Sequence, residues 1–138
     1  MRAQLAVVVG IGLVASGVRA PAHHAFAAEF DANKPVKFHG TVIKMLWVNP
    51  HAWIYVGVKK PDGSSETWMI EAGTPNTLLR RGLTKNSLPA GTEITVDGYQ
   101  SKDGSLRANG RDLTLPNGQT LFLGSSGTGA PSDDKSKK

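Results

Sequence analysis

Three stretches of the chain alternate apolar and polar side chains at the two-residue period of a strand, with aromatic and β-branched residues over-represented. They are Val36 to Trp47 (VKFHGTVIKMLW), His51 to Lys59 (HAWIYVGVK) and Glu66 to Ala72 (ETWMIEA). Gly40 interrupts the first and long stretch, where a bend or bulge is expected. Asn49-Pro50 separates the first strand from the second, and Pro61-Asp62-Gly63 supplies a hairpin turn into the third. The rhythm then breaks. Thr74 can cap a helix with Pro75 at its first position and Gly82 beyond its end, which makes PNTLLRR a short helix. Leu78 and Leu79 would face the core, with Arg80 and Arg81 turned to water. Strands resume at Thr92 to Tyr99 and Leu106 to Leu115, and Asn117-Gly118 turns the chain into Thr120 to Leu123 (TLFL). Prolines fall at the boundaries between these segments, where a missing amide is tolerated.

Three strands, one short helix, then two strands is the order of a five-stranded OB barrel. The fold class expected is therefore mostly β, an OB-like barrel with one helix between strands 3 and 4. The long first strand fits, because in that barrel it must serve both sides. An open antiparallel sheet carrying one helix is the competing arrangement.

The ends of the 138-residue chain have a different composition. Met1 and Arg2, an apolar run from Leu5 to Val18, and the small residues Ala20-Pro21-Ala22 form the pattern of a secretory signal peptide over residues 1–22. The apolar run is too short for a membrane helix, which needs roughly 20 residues. Gly124 to Lys138 (GSSGTGAPSDDKSKK) has no large apolar residue and is expected to be a flexible tail. A single domain over residues 23–123 is left. Without a cysteine there can be no disulfide, no thiolate metal site, no cysteine nucleophile and no lipid anchor on a terminal cysteine. A periplasmic or secreted protein with no membrane anchor is expected once the leader is removed.

The formal charge of +5 and the pI near 9.7 are a weak pointer to nucleic acid. Arg2 and Arg19 belong to the leader, and Lys135, Lys137 and Lys138 to the tail. The domain's only basic runs are the pairs Lys59-Lys60 and Arg80-Arg81, which suit a solvated face. No nucleic-acid partner is expected.

The segments HHAFAAEFDANKPVKFHGTV, WVNPHAWIYV, PNTLLRRG and VDGYQSKDGS together resemble a family of small exported bacterial domains of unknown function. Their mature chains typically begin Ala-His-His-Ser-Phe-Ala-Ala-Glu-Phe-Asp. The likeness runs from about His23 to Gly124 and implies a small OB-like barrel. It departs at Ala25, where the family usually has serine, so no essential hydroxyl is expected there.

No catalytic signature is visible. There is no Gly-x-Ser-x-Gly elbow and no His-Glu-x-x-His helix, and GSSGTG lacks the lysine and helix of a phosphate loop. Among the aromatics, Trp47, Trp53 and Tyr55 are candidate contacts for a small ligand, glycan or partner protein, although a small barrel also needs bulky side chains to fill itself.

The four histidines are the sharpest feature. Cleavage after Ala22 would make His23 the amino terminus, followed by His24. A terminal amine beside imidazole nitrogens suits copper(II), which favours nitrogen donors in a tetragonal plane. This arrangement resembles the histidine brace of exported copper proteins. If Asn49-Pro50 is the tip of the first hairpin, His39 and His51 lie at opposite ends, roughly 25–30 Å apart at the usual strand rise. The second hairpin would bring Glu71 beside Trp53, at the His51 end. His23, His24, His51 and Glu71 are therefore the candidate metal ligands, with copper the candidate cofactor. An arm from Phe26 to Pro35 would let the amino terminus reach them. The alternative is a metal-free binding module that uses the aromatic face.

Overall fold

The computed structural model describes residues 23–124, with side chains described from Phe26 onward. The expected leader, and the tail from residue 125 on, lie outside the described residues. In chain order the elements are α1 (His23–Glu29), β1 (Phe30–Leu46), β2 (Trp53–Lys59), β3 (Ser65–Glu71), α2 (Pro75–Arg80), β4 (Glu93–Ser101), β5 (Arg107–Thr114) and β6 (Thr120–Phe122). None of the described helices is long and apolar enough to cross a membrane.

The protein is mostly β. Its six strands form one sheet in the order β3-β2-β1-β4-β5-β6, and an additional β3–β5 pairing joins five of them into a ring. Neighbours are antiparallel except β3 and β5, which run parallel with Glu71 opposite Asn109. β1 makes the ring possible by changing partners. It pairs with β4 from Phe30 to Thr41, then with β2 from Thr41 to Leu46.

Two glycines permit close approaches in this ring. A Cβ on Gly40 would lie 2.5 Å from Val56 Cγ1 and 2.7 Å from the Gly57 carbonyl. A Cβ on Gly110 would lie 2.8 Å from Ile70 and 3.1 Å from the Glu71 carbonyl, where β5 meets β3. Gly40 thus marks tight packing, and the bulge in β1 falls later, between Val42 and Lys44.

Alternation puts one face of each of the five paired strands inside the ring. Val42, Ile54, Val56, Ile70, Ile94, Val96, Ala108 and Leu113 fill it, and Trp68, Leu78, Leu83 and Leu88 belong to the same core. Phe38 packs on Trp68 at 4.8 Å between ring centroids. The β2–β3 hairpin turns where expected, with Gly63 at φ 84° donating to the Lys60 carbonyl.

Several expectations need correction. The structure has six strands, since Thr120–Phe122 pairs with β5, and two helices where one was expected. The added helix is α1. The arm foreseen from Phe26 to Pro35 is the end of this helix followed by the start of β1. Phe26 and Phe30 explain the change, because together with Tyr99 they form a small apolar cluster that docks the helix. In α2 the Thr74 cap is present, its hydroxyl accepting from Thr77 N at 3.2 Å. Leu78 is buried but Leu79 is exposed, because one turn of helix has room for only one of two adjacent residues on its inner side. Arg81 is not turned to water either. Its guanidinium lies 4.4 Å from the Phe122 ring centroid and donates to the carbonyls of Phe122 and Gly124, so partial burial lowers its pKa.

Candidate functional site

The outer face of the ring is solvated over most of its extent and covered at one end. There the register places four outward-facing residues in a row across four strands. Tyr99 on β4 is opposite Asn109 on β5, Asn109 is opposite Glu71 on β3, and Glu71 is opposite Trp53 on β2. α1 lies over the Tyr99 side of this row. Phe26 meets Tyr99 edge-on at 5.6 Å and Phe30 at 5.8 Å between ring centroids. The helix is fastened through its carbonyls and its one acid. Lys102 N donates to the Glu29 carbonyl at 2.9 Å, Lys102 Nζ donates to the Ala27 carbonyl, and Arg107 pairs with the Glu29 carboxylate at 3.2 Å.

Between helix and sheet a cavity of about 200 Å³ remains, lined by Phe26, Glu29, Phe30, Pro50, His51, Glu71 and Asn109. His51 reaches it from the loop between β1 and β2. Its Nδ1 donates to Glu71 Oε1, and both side chains are largely buried. In the neutral ring that bond leaves Nε2 as the lone-pair nitrogen, free to act as a base or a metal ligand. Burial pushes the Glu71 carboxyl above its ordinary pKa, and the nearby Glu29 charge adds to this. The attraction of His51 and Arg107 pulls the other way.

Asn109 is the unusual member. It is 6% exposed, and among the described residues its buried Oδ1 has no hydrogen-bond partner. Leaving such an acceptor unsatisfied costs about 1–3 kcal/mol, so an otherwise well-packed protein has little reason to retain it. An amide carbonyl, a buried carboxylate and an imidazole thus converge on one small space walled by two phenylalanines.

The residues singled out from sequence are distributed as follows. His51 and Glu71 are brought together. His23 and His24 open α1, but their side chains lie outside the described residues. His39 stands elsewhere on the surface, beside Thr95 at 3.4 Å and Glu93 at 3.9 Å. Among the described residues, no three His, Asp or Glu side chains gather closely enough to hold a metal ion.

The aromatic trio does not share a face. Trp47 packs against the interior core, while Trp53 and Tyr55 point outward. Both outward rings already carry a cation, Arg107 at 5.2 Å over Trp53 and Lys44 at 4.5 Å over Tyr55. Phe26, Glu29, Phe30 and Asn109 were missed as site residues. The two phenylalanines had a signal, an i,i+4 apolar pair bracketing Ala27 and Ala28, which suits one turn of helix. Asn109 had none.

Residues 9–110 match the pattern of a family of unknown function, DUF6152. The chain belongs to this family. The matched span includes every residue of the cavity, so in DUF6152 terms the pocket lies wholly within the family's domain. No curated protein matches the chain.

Proposed function

We propose that this DUF6152 domain is a non-catalytic, exported binding module built on an OB-like barrel, and that it takes a divalent metal, copper(II) foremost, at His51. The observation that carries the reading is the bond from His51 Nδ1 to the buried Glu71. A carboxylate that holds a histidine ring by one nitrogen fixes the tautomer and raises the basicity of the other, which is the usual support for a metal-binding imidazole. The barrel reading is supported by the ring order β1-β2-β3-β5-β4 and its closure by a parallel β3–β5 pair. The export reading rests on the leader pattern of residues 1–22.

His51 alone is a weak ligand set. The remaining donors would come from the start of α1, where cleavage after Ala22 frees the amine of His23 and leaves His24 next to it. Position 23 is three residues before Phe26, a spacing that puts the two on neighbouring positions of one helix face, and Phe26 lines the cavity. In this arrangement Glu71 orients His51 and, as a residue of the same cavity, supplies a further donor. Copper(II) suits an amine and imidazoles better than the harder cations do.

The test begins with the intact mass of the exported protein, which should correspond to a chain starting at His23. Dialysis against copper(II) should then give one tight equivalent whose electron paramagnetic resonance spectrum shows nitrogen coupling. His51→Ala should weaken binding about 10-fold or more, the order expected when coordination support is lost, and His39→Ala should leave it unchanged. Affinity should fall on acidification, because every donor must be deprotonated to coordinate. A mature chain starting at Ala28, or equal behaviour of the two histidine variants, would overturn the reading.

A further inference from the structure

We infer that the floor of the cavity beneath α1 is a receptor for a primary ammonium group, with Asn109 and Glu71 as its acceptors and Phe26 and Phe30 as the walls around its carbon substituent. The inference stands apart from the metal reading. It concerns the floor of the pocket, and it holds for the protein with no metal bound.

The argument starts from what the cavity leaves unmet. Asn109 lines the cavity, and its Oδ1 is buried and lacks a partner among the described residues. It is an acceptor, so whatever satisfies it must donate. Beside it, across the parallel β3–β5 pair, is the Glu71 carboxylate, which is also an acceptor. The carboxylate of Glu29 lines the same space. Among the described residues, the side chains that supply positive charge and donors here are already engaged. Arg107 is held by Glu29 and the Trp53 ring, Lys102 by the Ala27 carbonyl, and His51 gives its Nδ1 proton to Glu71. A guest with several N–H donors and a positive charge complements this arrangement, and an anion or a pure acceptor does not.

The walls narrow the class further. Phe26, Phe30 and Pro50 are apolar, and the faces of aromatic rings attract cations. The volume of about 200 Å³ is well above what a bare ion or one water needs. A primary ammonium with a short alkyl chain fills it, directing its N–H bonds to Asn109 and Glu71 and its methylenes to the phenylalanines.

The experiment uses n-butylammonium, n-butanol and butyrate as probes, titrated with a chelator present and followed by backbone amide chemical shifts. Butylammonium is expected to bind saturably, with the largest shifts at Phe26, Phe30, His51, Glu71 and Asn109, and butyrate to give no saturable response. Asn109→Leu keeps the side-chain volume while removing the acceptor, and it should weaken butylammonium binding at least tenfold. Glu71→Gln, a second and milder variant, should weaken it as well and serves if the leucine variant does not fold. Equal binding of all three probes, no saturable binding of butylammonium, or unchanged affinity in folded Asn109→Leu overturns the inference. Copper binding at His51 is scored separately on the same variants. In the wild-type protein, copper binding without saturable butylammonium binding sinks this inference alone, and butylammonium binding without copper binding sinks only the metal reading.

Discussion

The interior of the ring and the patch beneath α1 are nearly equal in burial and opposite in chemistry. Ile54, Val56, Ile70 and Leu113 have no accessible surface and no polar atom to satisfy. On two of the same strands, Glu71 and Asn109 are 9% and 6% exposed, and they carry a carboxylate and a carbonyl without a partner among the described residues. The interior holds the ring together by excluding water from aliphatic carbon, at roughly 25 cal/mol per Å² buried. The patch gives up part of that return, since every polar group it desolvates must be repaid by a partner. The difference separates a region that explains stability from one that asks for a ligand. It also shows why burial alone does not identify a structural core.

The largest expected effect should confirm the structural half of the comparison. Ile70→Ala removes a fully buried side chain that packs within the ring and lies against Gly110 at the β3–β5 closure. Truncations of this kind cost about 2–5 kcal/mol, and urea unfolding should show a loss in that range with an unchanged m value. A loss under 1 kcal/mol would mean that the ring interior is not the main source of stability.

Phe26→Ala attacks the other region. Its ring is one of three in a small cluster on one side of the sheet, so the cost should fall below the ~3–5 kcal/mol typical of a phenylalanine truncated in a full core. The sharper readout is local. Amide hydrogen exchange should accelerate across residues 23–29 while β2 and β4 keep their protection, since the helix can open without the ring. Uniform acceleration over both regions would erase the distinction between them.

Much of the ring could be read in the sequence because its causes are local. The turn at Asp62-Gly63 and the strict alternation in β2 and β3 fix Trp53 opposite Glu71, and that register is observed. The Thr74 cap and the Pro75 start of α2 follow from side-chain chemistry within four residues. The patch was harder to read because its causes are distant. Asn109 acquires its meaning from Glu71 across a parallel pairing, and parallel pairings leave no turn signal behind. In α1, two phenylalanines among alanines fit an arm as well as a helix until Tyr99, far along the chain, gives them a surface to bury against. The split between Leu78 and Leu79 likewise depends on the angle at which a short helix meets the core.

Asn109→Leu is expected to act with the opposite sign. Replacing an unsatisfied amide by an apolar side chain of similar volume removes a desolvation penalty and leaves no partner stranded. Thermal unfolding should show no loss and a gain of up to about 1 kcal/mol, or roughly 4–8 °C for a domain of this size. A stabilised variant that has also lost ligand binding would display the usual conflict between function and stability at one position. A clear destabilisation would show that the amide is structurally satisfied in solution, and the patch would then resemble the interior after all.

The smallest effect expected lies in the turn that links the two regions. Asp103 accepts from the hydroxyl of buried Ser101 at 2.7 Å and from Ser105 N at 2.9 Å. These bonds, that of Ser101 first, hold its pKa near 2, below the ordinary 3.8. A carboxylate whose pKa is depressed by folding adds stability that is fully present above the unfolded value and is lost as pH falls through the folded one. The contribution should therefore be intact above about pH 4 and fade towards pH 2. Asp103→Asn removes this dependence, so the wild type and the variant should differ at neutral pH and converge in strong acid. The side chain is exposed, so the difference will be modest, but its location gives it consequence. The same turn presents Lys102, whose amide and ammonium hold the carbonyls of Glu29 and Ala27 at the end of α1. Loosening Asp103 should thus raise hydrogen exchange in α1 before it lowers global stability, and the rise should grow with pH from 2 to 4 relative to the wild type. If exchange in α1 is unchanged while global stability falls, the turn belongs to the ring and the helix is held by its aromatic contacts and the Arg107–Glu29 pair.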